Sequence, residues 1–188
     1  MNDINLNDFI LGLFSLNTRR FGNVAEIMIK KKYNFDNSKS NAYDLLSKNG
    51  NKIEVKFSRV QKKCSTTITE KNVIQQTINS TIKKRSLTYN DTHTSKFDCN
   101  IQQIKPKEFD ELYYGCFFED KILICKITSE EILKDLEKKE IHFSYGQHRE
   151  NKGNEGQFHI NNDTLQIHLE KYFVTWFTYE ELITLFEK

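Results

Sequence analysis

Asp44, Glu54 and Lys56 stand in a D-x9-E-x-K spacing, and these are the residue types that metal-assisted hydrolysis of a phosphodiester needs. Two carboxylates brought to one point repel each other, and a hard divalent cation relieves the repulsion while taking oxygen ligands from both. The arrangement suits Mg²⁺. An ammonium two residues beyond Glu54 lies on the same face of a strand, where it can hold or polarise a water at the metal. E-x-K alone carries little information, because it recurs at Glu119/Lys121, Glu137/Lys139 and Glu150/Lys152. Only the Glu54 copy falls inside an alternating apolar run with an acidic residue near the start of the preceding strand. Asp110/Glu119/Lys121 is a rival trio, although Glu119 falls at the apex of an expected turn.

The elements that must position the trio are legible in the surrounding pattern. In segment 41–60, Ile53, Val55 and Phe57 alternate with Lys52, Glu54 and Lys56, the period of a half-buried strand, and Asn49-Gly50 marks a hairpin turn before it. The loop length decides which residues face each other. A two-residue loop pairs Leu45 with Glu54 and puts Asp44 on the opposite face. A three-residue loop of Lys48, Asn49 and Gly50, with glycine in the left-handed conformation and a bulge, pairs Asp44 directly with Glu54.

Upstream, Leu6, Phe9, Ile10, Leu13 and Phe14 form an amphipathic helical stripe. A second helix is expected after Thr18 as N-cap, with Val24, Ile27 and Met28 inward and Lys30 to Lys32 near its C-terminus, where cations suit the helix dipole. Downstream, residues 70–84 read as a helix carrying Val73, Ile74, Thr77 and Ile78. Strands are expected at 100–104, 113–118 and 122–127, the last two joined as a hairpin by Glu119-Asp120. Thr128-x-x-Glu131 and Thr178-x-x-Glu181 are capping boxes opening two further helices. The order implies an α/β or mixed α+β class, a central mixed β-sheet flanked by helices, in one domain spanning 1–188.

The helix, the Y-D-L-L segment, the Asn-Gly turn, K-I-E-V-K-F-S and the later strand-helix return resemble the PD-(D/E)XK nucleases, and most of all small type II restriction endonucleases. The resemblance covers a core of about 17–137, with 138–188 supplying a recognition loop and a C-terminal helix. It implies a restriction-endonuclease-like core in which Asp44, Glu54 and the Val55 carbonyl bind Mg²⁺ and Lys56 orients the attacking water. Tyr43 stands where the family pattern has proline. The resemblance also places Glu26, on the helix before the hairpin, where many members carry a further acidic residue; read from the sequence alone, Glu26 and Lys30 make an ordinary i, i+4 surface pair. It implies sequence-specific double-stranded DNA cleavage to 5′-phosphate and 3′-hydroxyl ends by a homodimer, with a cognate DNA methyltransferase as functional partner. A structure-selective or repair nuclease on the same core, such as a junction resolvase, and a non-catalytic nucleic-acid-binding module are the alternatives.

Net charge does not advertise a polyanion partner, since 28 Lys and Arg stand against 26 Asp and Glu. Locally, Lys52, Lys56, Arg59, Lys62 and Lys63 surround a single acid, Glu54, and Lys83-Lys84-Arg85 adds a second basic patch suited to phosphates. The polar, glycine-punctuated segment 144–163 reads as a loop. Within it Gln147, His148, Arg149, Lys152, Asn154, Gln157 and Asn162 could read base edges, and Gly146, Gly153 and Gly156 could let backbone approach closely. Gln103-Ile104-Lys105 resembles a Q-x-K variant of the motif, but without an acidic partner nearby a structural strand role is the better reading.

The 4 cysteines show neither C-x-x-C nor zinc-finger spacing, and the 5 histidines lack metal-ligand spacing, which argues against a structural zinc site and for polar packing or DNA contacts. The N-terminal stretch lacks the charge and cleavage features of a secretory signal, and no apolar run approaches a membrane span. The expectation is a soluble protein in a reducing cytoplasm, with no membrane partner.

Overall fold

The computed structural model describes residues 4–64, 66–146 and 154–188. Two capped helices open the chain. In α1 (Leu6–Ser15) the Asn5 side chain accepts the Asn7 and Asp8 N–H groups. In α2 (Thr18–Tyr33) the cap is Asn17 rather than Thr18, its Oδ1 accepting the Arg20 N–H at 3.0 Å. The buried stripe of α2 is Phe21, Ala25, Met28 and Ile29, while Ile27 stays 48% exposed. Starting the i, i+4, i+7, i+8 series at Phe21 rotates the helix relative to the expected Val24/Ile27/Met28 face. It also brings Glu26 to the flank of the helix.

The strands form two sheets. The larger holds, in order, β1 (Asp36–Asn37), β2 (Leu45–Leu46), β3 (Lys52–Arg59), β6 (Glu111–Phe117), β7 (Ile122–Thr128) and β10 (Phe173–Phe177). Its β3–β6 pair is parallel and the others are antiparallel, so the sheet is mixed. The second sheet, antiparallel throughout, orders β4 (Gln61–Lys62), β5 (Phe97–Ile104), β9 (Gly156–Asn161) and β8 (Ser144–Tyr145). Between them run α3 (Val73–Asn79), α4 (Ile82–Arg85), α5 (Ser129–Lys138), α6 (Leu165–Lys171) and α7 (Tyr179–Glu187). Both expected capping boxes are present, at Thr128/Glu131 and Thr178/Glu181.

Alternation sends the two sides of the larger sheet into two cores. Ile53, Val55, Tyr113, Phe117, Ile122 and Ile124 pack with Phe14, Phe21, Met28 and Leu182 of the helices. On the other side Leu112, Tyr114, Cys116, Leu123 and Cys125 pack with Cys99, Ile101, Phe158 and Ile160 of the second sheet, and with Ile132 and Leu165. Because β5 lies against β3, the strand expected to be half-buried is covered on both sides, and Glu54 is only 8% exposed.

Three expectations change. The 70–84 helix breaks at Ser80, and Thr81 caps a new turn; Val73, Ile74 and Ile78 lie exposed. Segment 144–163 contains β8 and β9, for Phe158 and Ile160 alternate with Gln157, His159 and Asn161 and are fully buried. Helix α6 was not expected at all. Among the described residues no helix is long and apolar enough to cross a membrane.

Candidate active site

The hairpin has the three-residue loop. Gly50 takes φ 87°, its N–H donates to Ser47 O at 3.0 Å, and the Ser47 N–H donates to Asn51 O at 2.9 Å. Ser47 Oγ accepts the Asn51 N–H, which ties the returning strand to the turn. Leu46 then pairs with Lys52 and Leu45 with Ile53. The strand pairing ends at Leu45 and Ile53; the Asp44 N–H donates to Ile53 O at 3.0 Å, a departure from the regular ladder that brings Asp44 in against the edge of β3.

Past Ile53 the β2 edge of β3 is no longer covered by a strand, and the Asp44 carboxylate takes over. Its Oδ2 accepts the Val55 N–H at 2.8 Å. Since Ile53 O turns toward β2, strand alternation aims the Val55 carbonyl at the same edge as Asp44. On the sheet face, Lys56 Nζ lies 2.5 Å from Glu54 Oε1.

Asp44, Val55 and Lys56 line a cleft of about 580 Å³ with Glu26, and with Asn100, Gln102 and Gln103 of the second sheet; Glu54 is buried and reaches the cleft only through its ion pair with Lys56. Burial pushes the Glu54 carboxyl up to about 7; Lys56 pulls it down and Asp44 pushes it further up. Burial and then the Asp44 carboxylate hold Glu26 above the ordinary carboxylate range, against the pull of Lys56 and Lys30. Burial works against the Lys56 charge, but Glu54, Asp44 and Glu26 outweigh it, and the ammonium is held above its ordinary value. Glu26 is therefore electrostatically part of the cleft, which its i, i+4 spacing to Lys30 did not reveal.

The donor set fits a hard cation. Asp44, Glu54 and the Val55 carbonyl offer oxygen only, and a divalent ion would favour the ionised Glu54 against the burial, and then the Asp44 charge, that hold it up. Among the described residues no three His, Cys, Asp or Glu side chains group as a metal cluster. Mg²⁺ is commonly held by one or two carboxylates plus water and substrate oxygens.

The rival trio does not converge. Asp110 precedes β6 and accepts the Lys52 N–H, Glu119 follows β6 and pairs with Lys83, and Lys121 lies over the rings of Tyr89 and Trp176.

The two basic patches come together. Lys62 and Lys63 share a second cleft of about 600 Å³ with Lys84 and Arg85, lined besides by Gln76, Asn79 and Ser80. Lys83 is turned to Glu119. Arg59 borders the first cleft but is 8% exposed, donating to Leu16 O at 2.5 Å and stacked 4.0 Å over Phe21. It ties β3 to the junction of α1 and α2.

Of the expected base-reading residues, Gln147, His148, Arg149 and Lys152 lie outside the described residues. Asn154 is exposed, whereas Gln157 belongs to β9 and its Oε1 accepts from Asn100 at 3.2 Å. Asn162 is a clamp, donating to Thr92 O and Ser95 O and accepting from the Phe97 N–H. Gly156 is needed within the protein, where a Cβ would come 2.4 Å from the Phe143 ring. His159 pairs with Asp98 at 2.8 Å, and buried His168 lies 2.8 Å from the Tyr114 hydroxyl, its imidazole pulled down to about 3 by burial. Gln103 does lie in a strand, as expected, yet it also lines the first cleft; Asn100 and Gln102 beside it were not anticipated.

No protein-family model matches the chain, and a search of curated proteins finds no similar one.

Proposed function

We propose that this chain is a Mg²⁺-dependent endonuclease acting on double-stranded DNA, a sequence-specific enzyme of the type II restriction kind built on a restriction-endonuclease-like core. The observation that carries the reading is the Asp44 carboxylate held at the edge of β3, accepting the Val55 N–H at 2.8 Å, with Lys56 ion-paired to Glu54 on the same strand.

Asp44, Glu54 and the Val55 carbonyl would hold the cation, which when bound supplies Lewis-acid stabilisation of charge developing on the phosphate. Lys56 donates to the attacking water and holds it toward the phosphorus. Burial of the cleft floor keeps competing water out and strengthens each of these contacts. Glu26, whose carboxyl sits above the usual range, is suited to accept a proton from the attacking water. The product carries a 5′-phosphate and a 3′-hydroxyl. The groove bearing Lys62, Lys63, Lys84 and Arg85 follows the phosphates without reading sequence.

Cutting both strands at one site calls for two copies of the chain related by a two-fold axis, matched to a palindromic target. A methyltransferase with the same target would protect the host's own DNA. Incubating the purified chain with phage-length DNA and Mg²⁺, then sequencing fragment ends, tests the reading. Ends sharing one short sequence support it; ends scattered at random, or confined to branched junctions, favour the repair-nuclease alternative, and uncut DNA favours the binding module.

A further inference from the structure

Helix α2 turns a polar stripe to the cleft. Arg19, Gly22, Asn23 and Glu26 stand at i, i+3, i+4 and i+7, the spacing of one helix face, and all four line the cleft that holds Asp44 and Lys56. Arg19 and Glu26 lie two turns apart, about 10 Å along the axis at 1.5 Å per residue. The stripe therefore runs from the Asp44/Lys56 site, whose charges Glu26 feels, to the N-terminal end of α2.

Two members of the stripe have no work inside the protein. Arg19 is exposed, and among the described residues its guanidinium makes neither an ion pair nor a side-chain hydrogen bond. Arg59, the other arginine of the cleft, is held by Leu16 O and the Phe21 ring, which leaves Arg19 as the guanidinium able to meet a ligand there. Gly22 sits inside a helix, where glycine is less stable than alanine. Its backbone has no positive φ, and a Cβ built on it would meet nothing within 4 Å. Gly115 and Gly156 differ, since a Cβ there would collide with Leu123 O and the Phe143 ring. What the missing side chain of Gly22 provides is bare helix backbone in the cleft wall, open to close approach from outside.

The chemistry of the stripe suits a phosphodiester chain. The planar fork of arginine matches two phosphate oxygens, and α2 opens at this end, where the helix dipole favours an anion. Asn23, exposed one turn beyond Arg19, brings two further N–H donors.

We propose that Arg19, Gly22 and Asn23 form a track for the sugar-phosphate backbone of the DNA strand held at the Asp44/Glu54 site. Arg19 pairs with a phosphate, Asn23 donates to the same backbone, and Gly22 lets it lie against the helix. The proposal rests on the nuclease reading for its substrate and extends that reading to how the strand is seated.

The test compares wild type with Arg19→Ala and Gly22→Gln, the second placing a helix-favouring side chain where a Cβ meets nothing. Each protein is titrated with a random-sequence duplex in Ca²⁺ over a salt series and unfolded thermally, and fragment ends are sequenced in parallel in Mg²⁺. Arg19→Ala should bind about tenfold more weakly, with a salt slope smaller by about one and an unchanged unfolding temperature. Gly22→Gln should also bind about tenfold more weakly while unfolding at the same or a higher temperature, a combination that a purely structural glycine does not give. Arg19→Ala that keeps the wild-type salt slope, or Gly22→Gln that keeps the wild-type affinity, overturns the track and leaves the nuclease reading standing. DNA that wild type binds and both variants bind more weakly, but that is never cut in Mg²⁺, supports the track and overturns the nuclease reading. Wild type that neither binds nor cuts DNA overturns both.

Discussion

The ammonium of Lys56 lies 2.5 Å from Oε1 of Glu54, two residues earlier on the same face of β3. Each group stabilises the other's charge in a site that burial makes hostile to both. Removing the lysine should therefore do more than delete a water ligand, because it leaves Glu54 facing Asp44 with its main counter-charge gone. Lys56→Ala should lower the cleavage rate far more than tenfold, tenfold being about 1.4 kcal/mol of barrier, while binding of cognate DNA in Ca²⁺ survives. Single-turnover cleavage and a binding titration separate the two effects. Retention of a tenth of the wild-type rate would argue against a catalytic lysine.

Glu54 also predicts how stability varies with pH in the absence of metal. Its carboxyl ionises at about 7 in the folded chain against an ordinary 4.5. Between those values the folded protein keeps a proton that the unfolded chain has released. Stability should thus fall as pH rises from about 4.5 to 7 and level off above, by up to about 3 kcal/mol. Denaturant unfolding in EDTA at pH 5 and pH 7.5 should show a drop in wild type that is much smaller in Glu54→Gln. Equal drops would contradict the assignment. With Mg²⁺ present, cation and proton compete for the same carboxylate, so the acid limb of activity should move to lower pH as Mg²⁺ is raised.

Asp44 has a structural duty beside its proposed metal ligation, because it accepts the Val55 N–H at 2.8 Å. Asp44→Asn keeps an acceptor there and should fold as stably as wild type while losing activity. Asp44→Ala abandons the bond and should cost about 1 kcal/mol of stability in addition. Urea midpoints of the two variants, measured beside their activities, distinguish the roles.

Arg59 and Lys84 should behave oppositely. Arg59, donating to Leu16 O and stacked on Phe21, is part of the scaffold, and Arg59→Ala should cost about 2–3 kcal/mol of stability. Lys84 is exposed in the basic groove, so Lys84→Ala should leave stability alone and reduce the salt slope of DNA binding by about one. A salt series on both variants checks this.

The hairpin was readable because turn chemistry is local: Asn49-Gly50 marks the reversal, and the loop is three residues long because Ser47 and Asn51 bond each other across it. The capped helices were readable for the same reason. Long-range effects were not. Nothing in the alternation of β3 announces that a second sheet covers Glu54, so neither the burial nor the raised carboxyl could be anticipated. Strand β9 does alternate in Gln157, Phe158, His159, Ile160 and Asn161, but glycines and polar residues around it masked the period. The spacing of Val73, Ile74 and Ile78 marked a helix but not that it breaks at Ser80 or that these side chains lie exposed. The shift in the pairing of β5 with β9 between Ile101 and Ile104 is set by the partner strand, invisible along β5 itself.

The central claim, that Asp44, Glu54 and Lys56 form a metal-dependent phosphodiesterase site, is tested most directly by cleavage of supercoiled plasmid carrying a randomised insert library, by wild type and Asp44→Asn side by side. Wild type should nick and linearise the DNA with Mg²⁺ and leave it intact in EDTA, and Asp44→Asn, folded to the same unfolding temperature, should leave it intact in both. Plasmid left uncut by wild type, or cut equally fast by Asp44→Asn, would contradict the account.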